Sequence, residues 1–301
     1  MKKLILSTAI AAITASSVAS AANIYEKDEL TIKLNGDFQV QLFDPVGEAD
    51  DLDVDYDDLQ LTLGADYKLG KGMAAFGQLG LDWKGQADAD EDDDDAVIDT
   101  AFVGLKVGSV TGSIGRQYFA SDDFGVEKAI ELDGGNAFPT TEGNESIKLG
   151  FGRGNVDAVL SYDIEDDNDE EVTELGVTTS VGKVELGAVY QNYKETPNSG
   201  TDETFAVMAS MDIGRSNVGV DYSTNDDSQY TNIAVGFPLS PKTVAAVGMT
   251  FEAPDGPDND VEHWYINATH KLHNNVSVFA EIGDNDADED LGALTGLQVK
   301  F

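Results

Sequence analysis

The residues with the most evident chemical potential in this chain are its carboxylates. Asp and Glu number 57 against 18 Lys and Arg, a formal charge of −39 at pH 7, and cysteine is absent. Asp88, Asp90, Glu91, Asp92, Asp93, Asp94 and Asp95 form one run with no base inside it. Asp122, Asp123, Glu127, Glu131, Asp133 and Glu142 share a second stretch in which only Lys128 opposes them, with Arg116 and Lys148 just outside. Carboxylates so grouped attract cations and repel anions. They are also hard oxygen ligands, and Ca²⁺ or Mg²⁺ could be held loosely, with Asp92, Asp93, Asp94 and Asp95 as the weak candidates for such a site. No resident cofactor and no firm metal site is expected. Asp284-Asn285-Asp286-Ala287-Asp288 opens like a calcium loop, but Glu289 stands where that loop needs glycine. His263 and His270 are seven apart, hence on opposite faces of a strand, and do not share a metal. No Gly-rich phosphate loop and no Ser/His/Asp set stands out, so an enzyme is not expected. Nucleic acid is excluded as a partner, because its phosphates would be repelled.

The elements that position these charges are read from periodicity. Residues 1–21 have the order of a secretory signal: Lys2 and Lys3, an apolar stretch from Leu4 to Ala15, and Ala19-Ser20-Ala21 as a small-residue cleavage site. Cleavage after Ala21 removes two lysines and takes the formal charge to −41. No later run of 18 apolar residues offers a membrane helix. Lipid also admits closed β-barrels, which hydropathy averages miss. Leu30, Ile32, Leu34, Gly36, Phe38, Val40 and Leu42 alternate with Thr31, Lys33, Asn35, Asp37, Gln39 and Gln41. Leu59, Leu61, Leu63, Ala65, Tyr67 and Leu69 alternate in the same way with Asp58, Gln60, Thr62, Asp66 and Lys68. A period of two places each set on one face of a strand.

Short turns such as Gly70-Lys71-Gly72, Gly182-Lys183 and His273-Asn274-Asn275 alternate with longer acidic connections such as Ala87 to Ala96 and Glu165 to Glu171. Seven short and eight long connections join sixteen strands, the arrangement of an outer-membrane barrel. A soluble β-sandwich of seven to nine strands fits this count badly. The expected fold is all-β: a 16-stranded antiparallel transmembrane barrel over residues 22–301. An even strand number lets the last strand, Leu291 to Phe301, pair with the first and remove the exposed sheet edge. Lys27-Asp28-Glu29-Leu30 spells a retention address that acts only at a C-terminus.

Several motifs then resemble the general, non-specific porin family of Gram-negative outer membranes. Ile24-Tyr25-Glu26-Lys27-Asp28 resembles the mature porin N-terminus, and Leu34-Asn35-Gly36 the "LYG" of the first strand. Phe76-Gly77-Gln78 resembles "YGQ", and Ala101-Phe102-Val103-Gly104-Leu105-Lys106 resembles "AFAGLK". Gly115-Arg116-Gln117-Tyr118 resembles "GRxY", Glu145-Ser146-Ile147-Lys148 "NSIRY", and Gln298-Val299-Lys300-Phe301 the terminal assembly signature. The resemblance implies passive diffusion of small hydrophilic solutes and ions, and a homotrimer. It also implies contact with outer-membrane lipid and lipopolysaccharide, and delivery through the barrel-assembly machinery. It makes residues 119–145 the constriction loop, folded into the lumen.

In that family the loop supplies carboxylates and the facing wall supplies bases. Asp122, Asp123, Glu127, Glu131 and Asp133 are then the acidic side, with Glu127, Glu131 and Asp133 nearest the loop centre. Arg116 and Lys148 match the family's basic positions, and Tyr118 lines the lumen or joins the interfacial belt. Asp37 and Gln60 stand where the family commonly has a lysine and an arginine. The thinner basic side points to cation selectivity. The alternative is a substrate-specific porin, for example for an oligosaccharide, which would need more lumen aromatics than Phe76, Tyr193 and Phe279. An adhesive or structural barrel would not conduct.

Overall fold

The computed structural model describes residues 22–47, 52–84, 96–164, 170–196, 199–255, 260–287 and 290–301. The expected signal segment and the run Asp88 to Asp95 lie outside the described residues. Among those described there are seventeen strands, from β1 (Ala22–Lys27) and β2 (Leu30–Asp44) to β16 (Val276–Asn285) and β17 (Gly292–Lys300). Every strand from β2 onward pairs antiparallel with the next, and β17 pairs back onto β2. The sixteen strands β2 to β17 therefore close into a ring with no open edge among them.

β1 is an addition to the expected sixteen. Asp28, in the left-handed region at φ 55°, reverses the chain, so the four residues that spell a retention address form a hairpin turn instead. The strand occupies the stretch of β2 that β17 leaves uncovered. β17 pairs with β2 as far as Lys300 opposite Asp37, Phe301 exchanges two backbone hydrogen bonds with Gly36, and β1 begins at Ala22 opposite Leu34.

Burial is inverted relative to a water-soluble protein. Val103, Leu105, Val107, Ile114, Leu149, Phe151 and Leu63 are exposed, whereas Asn35, Gln39, Gln41, Thr111, Ser113, Ser146 and Ser161 are buried. These sets alternate along their strands, so the apolar set covers the outside of the cylinder and the polar set lines the inside. An apolar exterior this extensive requires an apolar solvent.

The seam depends on one glycine. A side chain at Gly36 would meet the ring of Phe301 at 2.3 Å, and that ring also packs edge-on against Phe38, with centroids 5.7 Å apart. The terminal aromatic thus fills the space that the glycine leaves open on the outer wall.

Candidate constriction site

The longest connection joins β6 (Val110–Tyr118) to β7 (Glu142–Arg153). Its backbone is held almost continuously by side chains from the inward faces of distant strands. The amides of Ala120 and Ser121 donate to Glu174 on β9 (Glu171–Val181), and that of Val126 donates to Asp221 on β12 (Ser216–Thr224). Lys128 N donates to the Tyr265 hydroxyl on β15 (Val261–His273), 2.6 Å away. Ile130, Glu131 and Leu132 donate to the Glu281 carboxylate on β16 at 2.8–2.9 Å. The chain then returns past Thr250 and Ser223, which accept from Gly134 and Ala137. Tyr265 reaches the segment by lying flat over Gly248, where any side chain would collide with its ring.

Apolar side chains of the segment are buried against the same wall. Leu132 packs with Tyr265, Phe279 and Leu294, and Phe124 packs with Val189 and Ala206. Phe279, an inward aromatic in the sequence, is thereby covered by the segment.

The structure distributes the expected site residues as follows. Lys148, almost fully buried, donates to the carbonyl of Tyr118 at 2.6 Å, and its charge faces Asp123, Glu174 and Asp122. The Asp122 carboxyl, exposed on the segment, is raised by partial desolvation, with Asp123 adding to the rise and Lys148 opposing it. Asp123 is raised by burial and held down by Lys148. Glu127 is pushed up to about 7 by burial, with Asp221 and Asp133 adding to it. Asp133 is raised by burial and by Glu281, against the pull of His263. Glu131 is raised by burial and then by Asp57, while a hydrogen bond from Gln41 opposes the rise. The segment's acids therefore do not form one cluster. Asp122 and Asp123 sit at its start beside Lys148, Glu127 lies near Asp221 and Asp133, and Glu131 points toward β2 and β3 (Asp53–Gly70).

Arg116 lies at a slip in the β6–β7 ladder between Gly115 and Gln117. It bonds Glu142 at 2.9 Å and the carbonyl of Asp99 at 3.1 Å, and Tyr118 hydrogen-bonds the Asp99 carboxylate. With Asp82, Lys84 and Val97 these groups line a cavity of about 430 Å³. Tyr118 belongs to this charged recess. Gln60 donates to Asp82 at 3.2 Å. Asp37 pairs with Lys300 at 2.8 Å, so the sign change on β2 is answered by a base directly across the seam.

Sequence reading missed Lys84, Asp57, Lys300 and the three buried acids Glu174, Asp221 and Glu281. Each acid sits on the polar face of its strand, but only the register shows which segment it touches. Among the described residues, no group of three His, Cys, Asp or Glu has the geometry to hold a metal. Asp92, Asp93, Asp94 and Asp95, the weak metal candidates, lie outside those residues. His263 reaches Glu252 at 3.4 Å and His270 reaches Thr243 at 2.9 Å, so the two histidines have separate partners.

Residues 7–290 match the sequence model of the family described as Gram-negative porin. The chain belongs to that family. Porin-like protein H of Photobacterium profundum is 26% identical, with both chains covered in full. The trimer form of OmpT, an outer membrane protein of Vibrio cholerae, superposes with a TM-score of 0.77 at 17% identity, covering 91% of this chain and 99% of that one. An anion-selective porin from Comamonas acidovorans superposes with a TM-score of 0.76 at 11% identity, covering 91% and 100%. This porin is therefore a protein of the outer membrane, and its inverted burial is that of a chain whose strands face lipid.

Proposed function

We propose that this porin is a passive channel for small hydrophilic solutes and ions that prefers cations, and that residues 119–145 form its constriction. The observation that supports the reading is the backbone anchorage of this acidic segment to Glu174, Asp221 and Glu281, which on this reading sets Asp123, Glu127, Glu131 and Asp133 along the bore. Opposing bases are few, and they are largely engaged. Arg116 is tied to Glu142, Lys300 to Asp37, and Lys84 lies 3.4 Å from Asp57. Fixed carboxylates on a low-dielectric wall concentrate cations and deplete anions.

The Comamonas neighbour is titled anion-selective, but at 11% identity it shares only the barrel. Selectivity is set by the charges on that barrel, and these differ from chain to chain. The trimer form of the Vibrio protein supports a homotrimer here, with part of the apolar exterior covered by neighbouring copies and the rest by lipid. The segment 1–21 directs export and is cleaved, and the channel works without a catalytic residue.

Reversal potentials in a KCl gradient across a planar bilayer test the reading. A clear preference for K⁺ is expected in dilute salt. It should shrink at molar salt, where the Debye length falls from about 8 Å to about 3 Å. Anion preference in dilute salt would overturn the charge-lined constriction while leaving the barrel intact.

A further inference from the structure

The three buried acids that hold the segment share a construction. Glu174 lies directly across the ladder from Gln191, Asp221 from Asn232, and Glu281 from Asn267. In each pair the amide nitrogen donates to the carboxylate, at 2.9, 3.0 and 2.8 Å. Its second proton is given to a carbonyl of the segment: Gln191 to Thr140, Asn232 to Gly135, and Asn267 to Lys128. The carboxylate meanwhile accepts segment amides, from residues 120 and 121, from 126, and from 130 to 132. All six side chains are buried. The pairs recur at every third strand: β9 with β10 (Val184–Lys194), β12 with β13 (Ser228–Pro238), and β15 with β16.

Each pair therefore offers what the edge of a β-strand offers: an acceptor for a backbone N–H and a donor for a backbone C=O. We infer that these three acid–amide pairs are positioning residues that set the bore of the channel by gripping the backbone of the segment, and that this task is separate from selectivity. The inference rests on the reading that the segment narrows the pore. A grip on the backbone is indifferent to the side chains the segment carries. Charge on Asp123 or Glu127 is then free to change without moving the chain that bears it. Conversely, Glu174, Asp221 and Glu281 contribute little to the permeation field, because donors surround their charges on the wall side of the segment.

The test uses two sets of variants of the full-length protein, each measured on barrels that show the heat-dependent gel shift of folded porin. The positioning set is Glu281→Gln, Asp221→Asn and Glu174→Gln, each keeping shape while replacing one acceptor with a donor. The field set is Glu127→Gln and Asp123→Asn. Liposome swelling with neutral saccharides of graded size reads bore without reading charge, and reversal potential reads charge. The positioning set should raise the swelling rate severalfold for the largest saccharide that the unmodified channel barely admits. The field set should lower K⁺ preference with an unchanged size limit. If Glu281→Gln fails to fold, Asp221→Asn, which removes a single backbone bond from the segment, carries the same comparison. Folded positioning variants with an unchanged size limit would overturn the inference. If the field set leaves selectivity unmoved, the constriction reading itself fails, whatever the positioning set does.

Discussion

At the residue scale, the half-buried carboxyl of Glu127 sits where burial outweighs the nearby positive charge, and it is pushed up to about 7. A raised carboxyl is neutral below that value and charged above it. The K⁺ preference should therefore grow as pH rises from about 5 to about 9, with its midpoint near neutrality rather than in the usual carboxylate range. Reversal potentials across that range check the sign, and a flat profile would count against Glu127 as a field residue. The sequence shows the acids of this segment and the scarcity of bases beside it, because both are compositional. It did not foretell their partners. Asp37, alone on β2, reads as a base turned acid, and only the register reveals Lys300 beside it. Replacing Asp37 with Lys would reverse one charge and also release Lys300. With Gln60→Arg, the shift toward anions should thus exceed what the substituted charges alone would give.

At the element scale, alternation was enough to assign faces on β2 and β3, because a period of two admits one inside and one outside. β1 escaped notice because its six residues are too few to show a period. Its existence follows from the space that β17 leaves on β2, which is a property of the closed ring. The bulges at Gln39 and at Gly115 are equally silent in the pattern, although the second places Arg116 beside Asp99. The face assignment is open to a direct comparison on one strand. Leu63 points outward among exposed apolar neighbours, and Gln60 points inward beside Asp82. Leu63→Arg at mid-membrane should cost about 2–4 kcal/mol and reduce the yield of heat-shifted barrel. Gln60→Arg, on the opposite face of the same strand, should assemble normally. Equal yields would refute the assignment.

At the scale of the whole molecule, the −39 charge overstates what a permeating ion meets, since several acids are engaged with donors or bases inside the wall. On the proposed function, an ion would sense the subset on the open side of the segment, so net charge would predict the sign of selectivity better than its size. The seam has a consequence of a different kind. Phe301, just past β17, bonds Gly36 and fills the space above it, and Ala22, the first residue of β1, pairs two positions further along. The earliest and latest strands meet on β2, so the ring has no complete circumference until β17 has been translated. Closure must then wait for β17, and β2 keeps an unpaired edge for the whole of that interval. Loss of Phe301 alone should lengthen that interval without altering any pore residue. Pulse-labelled cells would show the shortened chain exported at the normal rate but slow to become heat-shifted barrel, with the conductance of the barrels that do form unchanged.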